Sequence, residues 1–157
     1  MDVGENQARR IYLFDVRGTD DPVPVTTDRL DSYSPAFGAG GKWLYFLSDR
    51  TFRSVQGSPW GARQPEALLD KTTSVFLLDL VGEQRSPFAP DDELTAARKE
   101  PPPKPAGEGV KEGKKEAPKA VEVKLEGLSE RLHAAPLEPG NYSYLSVAKG
   151  SLYFFRS

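Results

Sequence analysis

The chain has 157 residues, no cysteine and a formal net charge of −2, from 21 basic and 23 acidic residues. This balance gives no electrostatic attraction to nucleic acid or to an anionic membrane, and the lack of thiols excludes disulfides and cysteine-based metal sites. No segment approaches the roughly 18 apolar residues that span a membrane, and residues 1–10 lack the apolar core of a signal peptide. We therefore expect no nucleic-acid or membrane partner. The compartment, cytoplasmic or periplasmic, stays open.

After a lead-in at residues 1–10, short apolar segments alternate with turn-forming residues. The predicted strands, each rich in β-branched or aromatic residues and bounded by turn signals, are residues 11–17, 23–27, 33–37, 42–48, 74–80, 121–125 and 132–137. A further strand begins after the turn Glu138-Pro-Gly-Asn141. At most, residues 65–71 form one or two helical turns, so the sequence predicts an all-β fold.

The segment from residue 34 to 50, Ser-Pro-Ala-Phe-Gly-Ala-Gly-Gly-Lys-Trp-Leu-Tyr-Phe-Leu-Ser-Asp-Arg, predicts a hairpin whose second strand is apolar on both faces. Trp43, Tyr45 and Leu47 alternate with Leu44 and Phe46, and the glycines between the strands permit the positive φ of a tight turn. A strand buried on both sides is expected where sheets stack radially on one another, as blades do in a β-propeller.

Two internal repeats support the prediction of propeller blades. Residues 142–155 align without a gap on residues 34–47, and Ile11-Tyr-Leu-Phe-Asp-Val16 matches Val75-Phe-Leu-Leu-Asp-Leu80. The copies lie farther apart than the usual repeat of roughly 40 to 45 residues because of insertions at residues 51–73 and 91–120. A closed propeller needs about four to eight blades. We therefore predict a partial β-propeller of about two four-stranded antiparallel blades, beginning inside one blade and stopping inside another, as a piece of a larger wheel.

The predicted organisation is a propeller segment at residues 11–90, a linker at residues 91–120 and a continuation of the propeller at residues 121–157. The linker has seven acidic residues, seven basic residues and five prolines, and almost no apolar side chains. Such a segment buries too little to offset its ordering entropy, so we predict a disordered insertion. Its lysines resemble a nucleic-acid tail, but the balanced charge argues against that interpretation.

The insertion at residues 51–73 differs because it contains large apolar and basic side chains. Phe52, Arg53, Trp60 and Arg63 form a candidate peptide-channel or domain contact, since loops on a rigid scaffold commonly bind partners. The alternative is that Phe52 and Trp60 cover the core of their own blade.

No catalytic, cofactor-binding or metal-binding residue is predicted. His133 is the single histidine, it falls on a predicted outer strand, and no G-x-S-x-G nucleophile motif accompanies it. One histidine without cysteine does not supply the ligands of a zinc site. The acidic clusters at residues 20–21 and 91–93 lack the alternating spacing of a calcium loop.

The order of the less common motifs resembles the propeller region of tricorn-type serine peptidases, in the C-terminal-processing peptidase group. The motifs that carry the resemblance are Ser48-Asp-Arg-Thr-Phe52, Arg85-Ser-Pro-Phe-Ala-Pro90, Val123-Lys-Leu-Glu-Gly-Leu128, Pro136-Leu-Glu-Pro-Gly-Asn-Tyr142 and Lys149-Gly-Ser-Leu-Tyr153. Gly38-Ala39 departs from the more usual Ser-Pro of the hairpin.

The resemblance implies a non-catalytic propeller segment that scaffolds or gates peptide access to a peptidase core. That core, with its serine and histidine, is absent from this chain, so its catalytic residues have no counterpart here. Implied partners are peptide substrates and the remaining propeller, PDZ and peptidase domains; a homo-oligomer is left open. Two alternatives are a stand-alone protein-binding propeller of the periplasmic Tol-system type and the propeller of a prolyl-oligopeptidase-type hydrolase.

Overall fold

The computed structural model describes residues 7–18, 21–52, 69–82, 84–90, 121–148 and 150–157. The eight strands in these ranges are β1 (Tyr12–Leu13), β2 (Val23–Pro24), β3 (Ser32–Phe37), β4 (Trp43–Asp49), β5 (Thr73–Asp79), β6 (Leu132–Ala134), β7 (Tyr142–Ala148) and β8 (Ser151–Arg156). The helical elements in the same ranges are short 3-10 turns at Ala39–Gly41 and Leu128–Arg131. None of the described helices is long and apolar enough to cross a bilayer. The predicted all-β class is confirmed.

The strands form three antiparallel sheets in chain order. β1 and β2 form the leading pair, β3-β4-β5-β6 form the central sheet, and β7 and β8 form the trailing pair. Within the central sheet each strand neighbours the next one along the chain, which is the meander of a propeller blade. The described strands therefore form an arc of a β-propeller, with one complete four-stranded blade between two half-blades.

The central sheet is buried on both of its faces, and this fixes its place between the two pairs. One face packs against the trailing pair in a cluster of Trp43, Tyr45, Leu47, Val75, Leu77, Ala135, Tyr142 and Leu145. The other face packs against the leading pair in a cluster of Ile11, Leu44, Phe46, Leu78 and Leu80. The alternation along β4 thus sends successive side chains into two different cores.

The trailing pair repeats the first two strands of the central sheet, including an irregularity in the backbone. The register of β3 with β4 shifts between Tyr33 and Ala36, and that of β7 with β8 shifts between Ser143 and Ser146. At this bulge the non-glycine residues Ser34 and Tyr144 adopt positive φ angles of 51° and 54°. Such bulges bend a strand and increase its twist, so both inner hairpins are shaped in the same way.

The gap-free alignment of the two hairpins is wrong for their first strands. Seven positions separate the paired residues Phe37 and Leu44 in one hairpin, whereas five separate Val147 and Leu152 in the other. The turn between β7 and β8 is therefore two residues shorter. The alignment of residues 44–47 on residues 152–155 holds, but β7 matches β3 only with a two-residue gap in the turn.

Hydrogen bonds are placed alike in the two segments of the second predicted repeat. The Asp15 carboxylate accepts the Arg17 N–H at 2.9 Å, and the Asp79 carboxylate accepts the Val81 N–H at the same distance. Each aspartate thus ends its strand with a turn of the same kind, in which the side chain mimics a backbone turn. The backbones agree too, since Val25 N–H donates to Ile11 O as Ala135 N–H donates to Val75 O, both at 2.9 Å. The leading pair is therefore equivalent to β5 and β6.

The strand predicted at residues 121–125 is wrong. Lys124 N–H donates to Leu80 O at 2.8 Å, but the outer position beside β5 is occupied by β6. The carbonyl groups of this segment are bound elsewhere, because the Arg131 guanidinium donates to the carbonyl oxygens of Lys124 and Glu126, each at 2.5 Å, and of Asp79 at 3.0 Å. One arginine therefore ties this irregular segment to the end of β5.

The remaining predicted elements are shorter in the structure than predicted or lie at least partly outside the described residues. β1 and β2 are two residues long each, because Asp15 begins a turn and because Pro24 lacks the N–H that would extend a ladder. Residues 69–71 are not helical, and residues 65–68 lie outside the described residues. The predicted linker at residues 91–120 also lies outside them, so the domain boundaries remain a prediction.

A pair of phenylalanines in the central sheet tests the two-sided core. Phe46→Ala should lower the free energy of unfolding by about 3 to 5 kcal/mol, because the ring is 0% exposed and leaves a cavity. Phe37→Ala, whose ring is 57% exposed, should change it by less than about 0.5 kcal/mol. Urea unfolding followed by circular dichroism measures both. Equal effects of the two substitutions would contradict the assignment of the core.

Candidate functional site

An open apolar groove of about 490 Å³ lies where the central sheet meets the trailing pair. This inter-sheet groove is lined by Gly38, Trp43, Tyr45, Pro87, Phe88, Pro136, Leu137, Val147, Gly150, Leu152 and Phe154. Its floor comes from strand residues, and its walls come from the segments that follow β5 and β6. Its size falls in the range of small-ligand pockets, roughly 300 to 1,000 Å³.

The groove has aromatic and aliphatic walls without a charged side chain among its described lining residues. Gly38 lies close to the floor, since a Cβ built on it would stand 2.9 Å from the Tyr45 ring. A residue with a side chain at that position would displace the ring. This chemistry suits an apolar segment held by contact area rather than a charged small molecule.

Asp79 positions one wall of the groove. Its buried carboxylate accepts the Val81 and Gln84 N–H groups, each at 2.9 Å, and so fixes the turn that leads to Pro87 and Phe88. Burial acts to raise the pKa of Asp79, but the backbone N–H groups of Gln84, Gly82 and Val81, with the Arg131 charge, outweigh it and hold the pKa below its ordinary value. The carboxylate is therefore the form that the folded turn requires.

The opposite end of the central sheet is polar and its groups are mutually satisfied. The hydroxyl oxygens of Tyr33 and Thr73 lie 3.2 Å and 2.7 Å from one Asp49 carboxylate oxygen and 3.1 Å from each other. The buried Ser48 hydroxyl donates to the Asp31 carbonyl at 2.7 Å. Burial raises the pKa of Tyr33, which keeps its hydroxyl protonated. These groups fix the strand ends and leave no open binding chemistry between them.

An ion pair joins the leading segment to the same polar end. Arg9 and Asp31 meet through a guanidinium-carboxylate contact of 2.5 Å, and the Arg9 guanidinium carbon lies 4.1 Å from the centre of the Tyr33 ring. The hydrogen bonds from the Arg9 side chain hold the pKa of Asp31 below its ordinary value. The pair links two neighbouring sheets across their boundary.

Phe52 is the one residue of the predicted peptide-channel or domain contact that the structure describes, and it lies away from the groove. Phe52 is 62% exposed and follows the end of β4 that is opposite to Trp43. A strand of this length separates them by roughly 20 Å. Arg53, Trp60 and Arg63 lie outside the described residues, so the predicted peptide-channel or domain contact stays a prediction.

Several lining residues of the groove were missed from the sequence. Phe88 and Leu137 belong to characteristic motifs of the sequence, but no local pattern marks them as site residues. Each lies beside a proline after a strand, and the signal was an apolar residue in a turn-rich segment where polar residues are the rule. Only the sheet topology brings these two segments to one groove.

His133 lies on β6, opposite Leu77 on β5. Its ring is half-buried, and its centre lies 5.9 Å from that of the Trp43 ring in an edge-on arrangement. Within the described part of the chain no serine hydroxyl is hydrogen-bonded to it. Among the same residues there is no group of three or more side chains able to hold a metal ion. In the structure His133 therefore packs against an aromatic ring of the central sheet.

The fold and groove define a class, namely a segment of β-propeller blades. No family model matches the chain. The chain is 31% identical over 137 residues to tricorn protease homologue 2 of Streptomyces coelicolor, a match that spans 85% of this chain and 11% of that protein. A crystal structure of the tricorn protease matches 88% of this chain and 11% of its own, with a TM-score of 0.50 and 24% identity, a likeness that concerns the fold. The chain is therefore a relative of the tricorn proteases, similar over most of its length to a short segment of one.

The ionised Asp79 carboxylate makes the folded chain less stable as the pH falls. Because the folded-state pKa of Asp79 is lowered, its contribution is complete above the ordinary aspartate pKa of about 3.9 and is lost as pH falls through the folded value. Asp79→Asn should therefore be less stable than the unsubstituted chain at pH 7, and the difference should shrink by pH 2. Urea midpoints at both pH values measure this.

Asp28→Asn, at an exposed position, is the matched control and should follow the unsubstituted chain at both pH values. A gap between Asp79→Asn and the unsubstituted chain that stays constant between pH 7 and pH 2 would show that the carboxylate charge does not stabilise the turn.

Proposed function

We propose that the chain is a non-catalytic β-propeller segment of a tricorn-like serine peptidase, which scaffolds the wheel and gates the access of peptides to a peptidase core outside this chain. The observation that carries the proposal is the order of half-blade, complete blade and half-blade, combined with the similarity to a tricorn protease homologue over 85% of the chain. The chain spans 11% of that relative. The peptidase activity of the whole protein is therefore part of what we propose.

A scaffolding role is supported by the way the central sheet is held. Its two faces pack into two separate cores, so its strands cannot shift without breaking both. Close-packed interiors resist such shifts. A rigid wheel of this kind holds its connecting loops at fixed positions, which is what a gate for peptides requires.

A gating role is supported by the inter-sheet groove. Its apolar walls, formed in part by Phe88, Pro136 and Leu137, fit an extended apolar peptide segment. The class of ligand that this surface favours is a short apolar peptide.

The absence of catalysis is tested directly. The purified chain should hydrolyse no fluorogenic peptide above the background of the buffer, because His133 contacts Trp43 rather than a serine nucleophile. His133→Ala is the matched variant and should behave identically. Turnover that His133→Ala abolishes, or that a serine-reactive inhibitor stops, would overturn the non-catalytic role.

Peptide binding in the groove is tested by titrating the chain into a fluorescently labelled short apolar peptide and following the anisotropy of the label. Leu137→Asp should weaken binding by about tenfold, since it replaces a wall residue worth roughly 1.5 kcal/mol or more of apolar burial with a charge. Phe37→Asp, at an exposed position that does not line the groove, should leave the affinity unchanged. Equal affinities for the two variants would place the peptide elsewhere.

A further inference from the structure

Two polar groups in the floor of the inter-sheet groove have no internal partner. The Trp43 indole N–H and the Tyr45 hydroxyl make no hydrogen bond to any described residue, although the two side chains are only 9% and 8% exposed. Among the described side chains that are not exposed, Arg10 Nε is the one unpartnered polar atom without solvent contact. The two groups therefore reach solvent, and both rings line the groove.

Two other tyrosines that pack in or against the same core show how such a hydroxyl is ordinarily held. The Tyr142 hydroxyl donates to the Glu138 carbonyl oxygen, and the Tyr33 hydroxyl oxygen lies 3.2 Å from an Asp49 carboxylate oxygen. Buried hydroxyl groups in native proteins are hydrogen-bonded, because an unpaired one costs stability. Tyr45 is the exception in this core, so its hydroxyl points to a ligand outside the internal packing.

The position of the Tyr45 hydroxyl is fixed by the residues around its ring. Gly38 lets the ring lie directly against the backbone, since a Cβ at that position would stand 2.9 Å from it. Across the sheet Tyr45 pairs with Leu77, which is fully buried. Burial raises the pKa of Tyr45, which keeps the hydroxyl protonated. The groove therefore contains a hydrogen-bond donor held in one place.

The side chains that line the groove are rich in donors and aromatic rings but poor in acceptors. The Trp43 indole can only donate, and the Tyr45 hydroxyl is the only side-chain acceptor among the described lining residues. Phe88 and Phe154 add two more aromatic rings. A ligand that suits these walls brings carbonyl oxygens and apolar rings, and it brings few N–H groups that would lose their hydrogen bonds to water.

Proline is the residue that meets these requirements. It has a carbonyl oxygen and an apolar ring but no backbone N–H. A run of prolines forms a polyproline II helix without internal hydrogen bonds, so its carbonyl oxygens remain available. Aromatic-lined grooves bind such segments, and the helix is formed before binding, which lowers the entropy cost. An ordinary extended peptide would instead bring N–H groups for which the groove offers few acceptors.

We propose that the inter-sheet groove is specific for a proline-rich peptide, and that Tyr45 and Trp43 determine this specificity by donating hydrogen bonds to its carbonyl oxygens. The proposal rests on the gating function proposed above, which requires a peptide in the groove, and it names the class of that peptide. The aromatic rings of the groove pack against the proline rings, and the two donors set the position of the peptide along the groove.

Two labelled probes test the peptide class. They are hexaproline and a peptide of the same length with alternating alanine and leucine, and the unsubstituted chain is titrated into each while anisotropy is followed. Hexaproline should bind about fivefold more tightly, because the second peptide loses hydrogen bonds from its N–H groups. Leu137→Asp, in the wall of the groove, should weaken the binding of hexaproline.

Tyr45→Phe tests the role of the hydroxyl, with Tyr33→Phe as the matched control. Tyr45→Phe should weaken hexaproline binding about fivefold, the effect of one hydrogen bond, without lowering the urea midpoint, since the hydroxyl has no internal partner. Tyr33→Phe should do the reverse. It removes a hydroxyl that is hydrogen-bonded to Asp49 and Thr73, so the midpoint should fall, and it does not line the groove, so the affinity should stay unchanged.

The outcomes separate this proposal from the gating function. Equal affinities for the two probes, both weakened by Leu137→Asp, would overturn the specificity for proline and leave peptide binding in the groove intact. A Tyr45→Phe variant that binds hexaproline as the unsubstituted chain does, or that unfolds at lower urea, would overturn the role of the hydroxyl as a donor. Failure of both probes to bind would contradict the gating function itself, and the assignment of the peptide class with it.

Discussion

The structure depends on one constraint, the apolar character of β4 on both of its faces. A sheet with one apolar face needs one cover, but this sheet needs two, and it obtains them from the pairs before and after it in the chain. Phe46 and Leu47 are adjacent in sequence and fully buried in different cores. The order of the three sheets follows from this requirement, since neither pair can leave without exposing one side of the central strand to water.

Where the apolar strands end, polar side chains decide the direction of the chain. Asp79 turns the chain after β5 toward the inter-sheet groove, and Asp49 gathers the hydroxyl groups of Tyr33 and Thr73 at the opposite end. Arg131 binds carbonyl groups of an irregular segment that would otherwise lack partners in the sheet. The groove is thus a product of the turns, whereas the strands supply only its floor.

The parts that could be predicted from sequence are those in which local pattern and burial agree. β4 and β5 have an unmistakable apolar pattern, and the aspartate that ends β5 recurs after β1. Residues 121–125 show where prediction from the pattern fails. Their apolar and polar residues do alternate, but Val123 and Leu125 are exposed, and the place beside β5 in the sheet is occupied by β6. Alternation states which residues share a face but not whether a partner strand is available. The groove was missed for the same reason, since residues 87 and 137 meet only through the topology.

The comparison of equivalent positions separates what a blade requires internally from what it requires of its neighbours. The β7–β8 hairpin keeps the bulge and the register of β3 and β4 although its turn is shorter and its outer face is uncovered. Its geometry is therefore set by its own strands and by the single core that it shares with the central sheet. Tyr153 and Phe155 face away from this core, and the ring centre of Phe155 lies 5.8 Å from that of Tyr144 at the bulge. Exposed aromatic residues on the outward face of a half-blade are best explained as contact surface for another sheet, so the half-blade is one side of an interface.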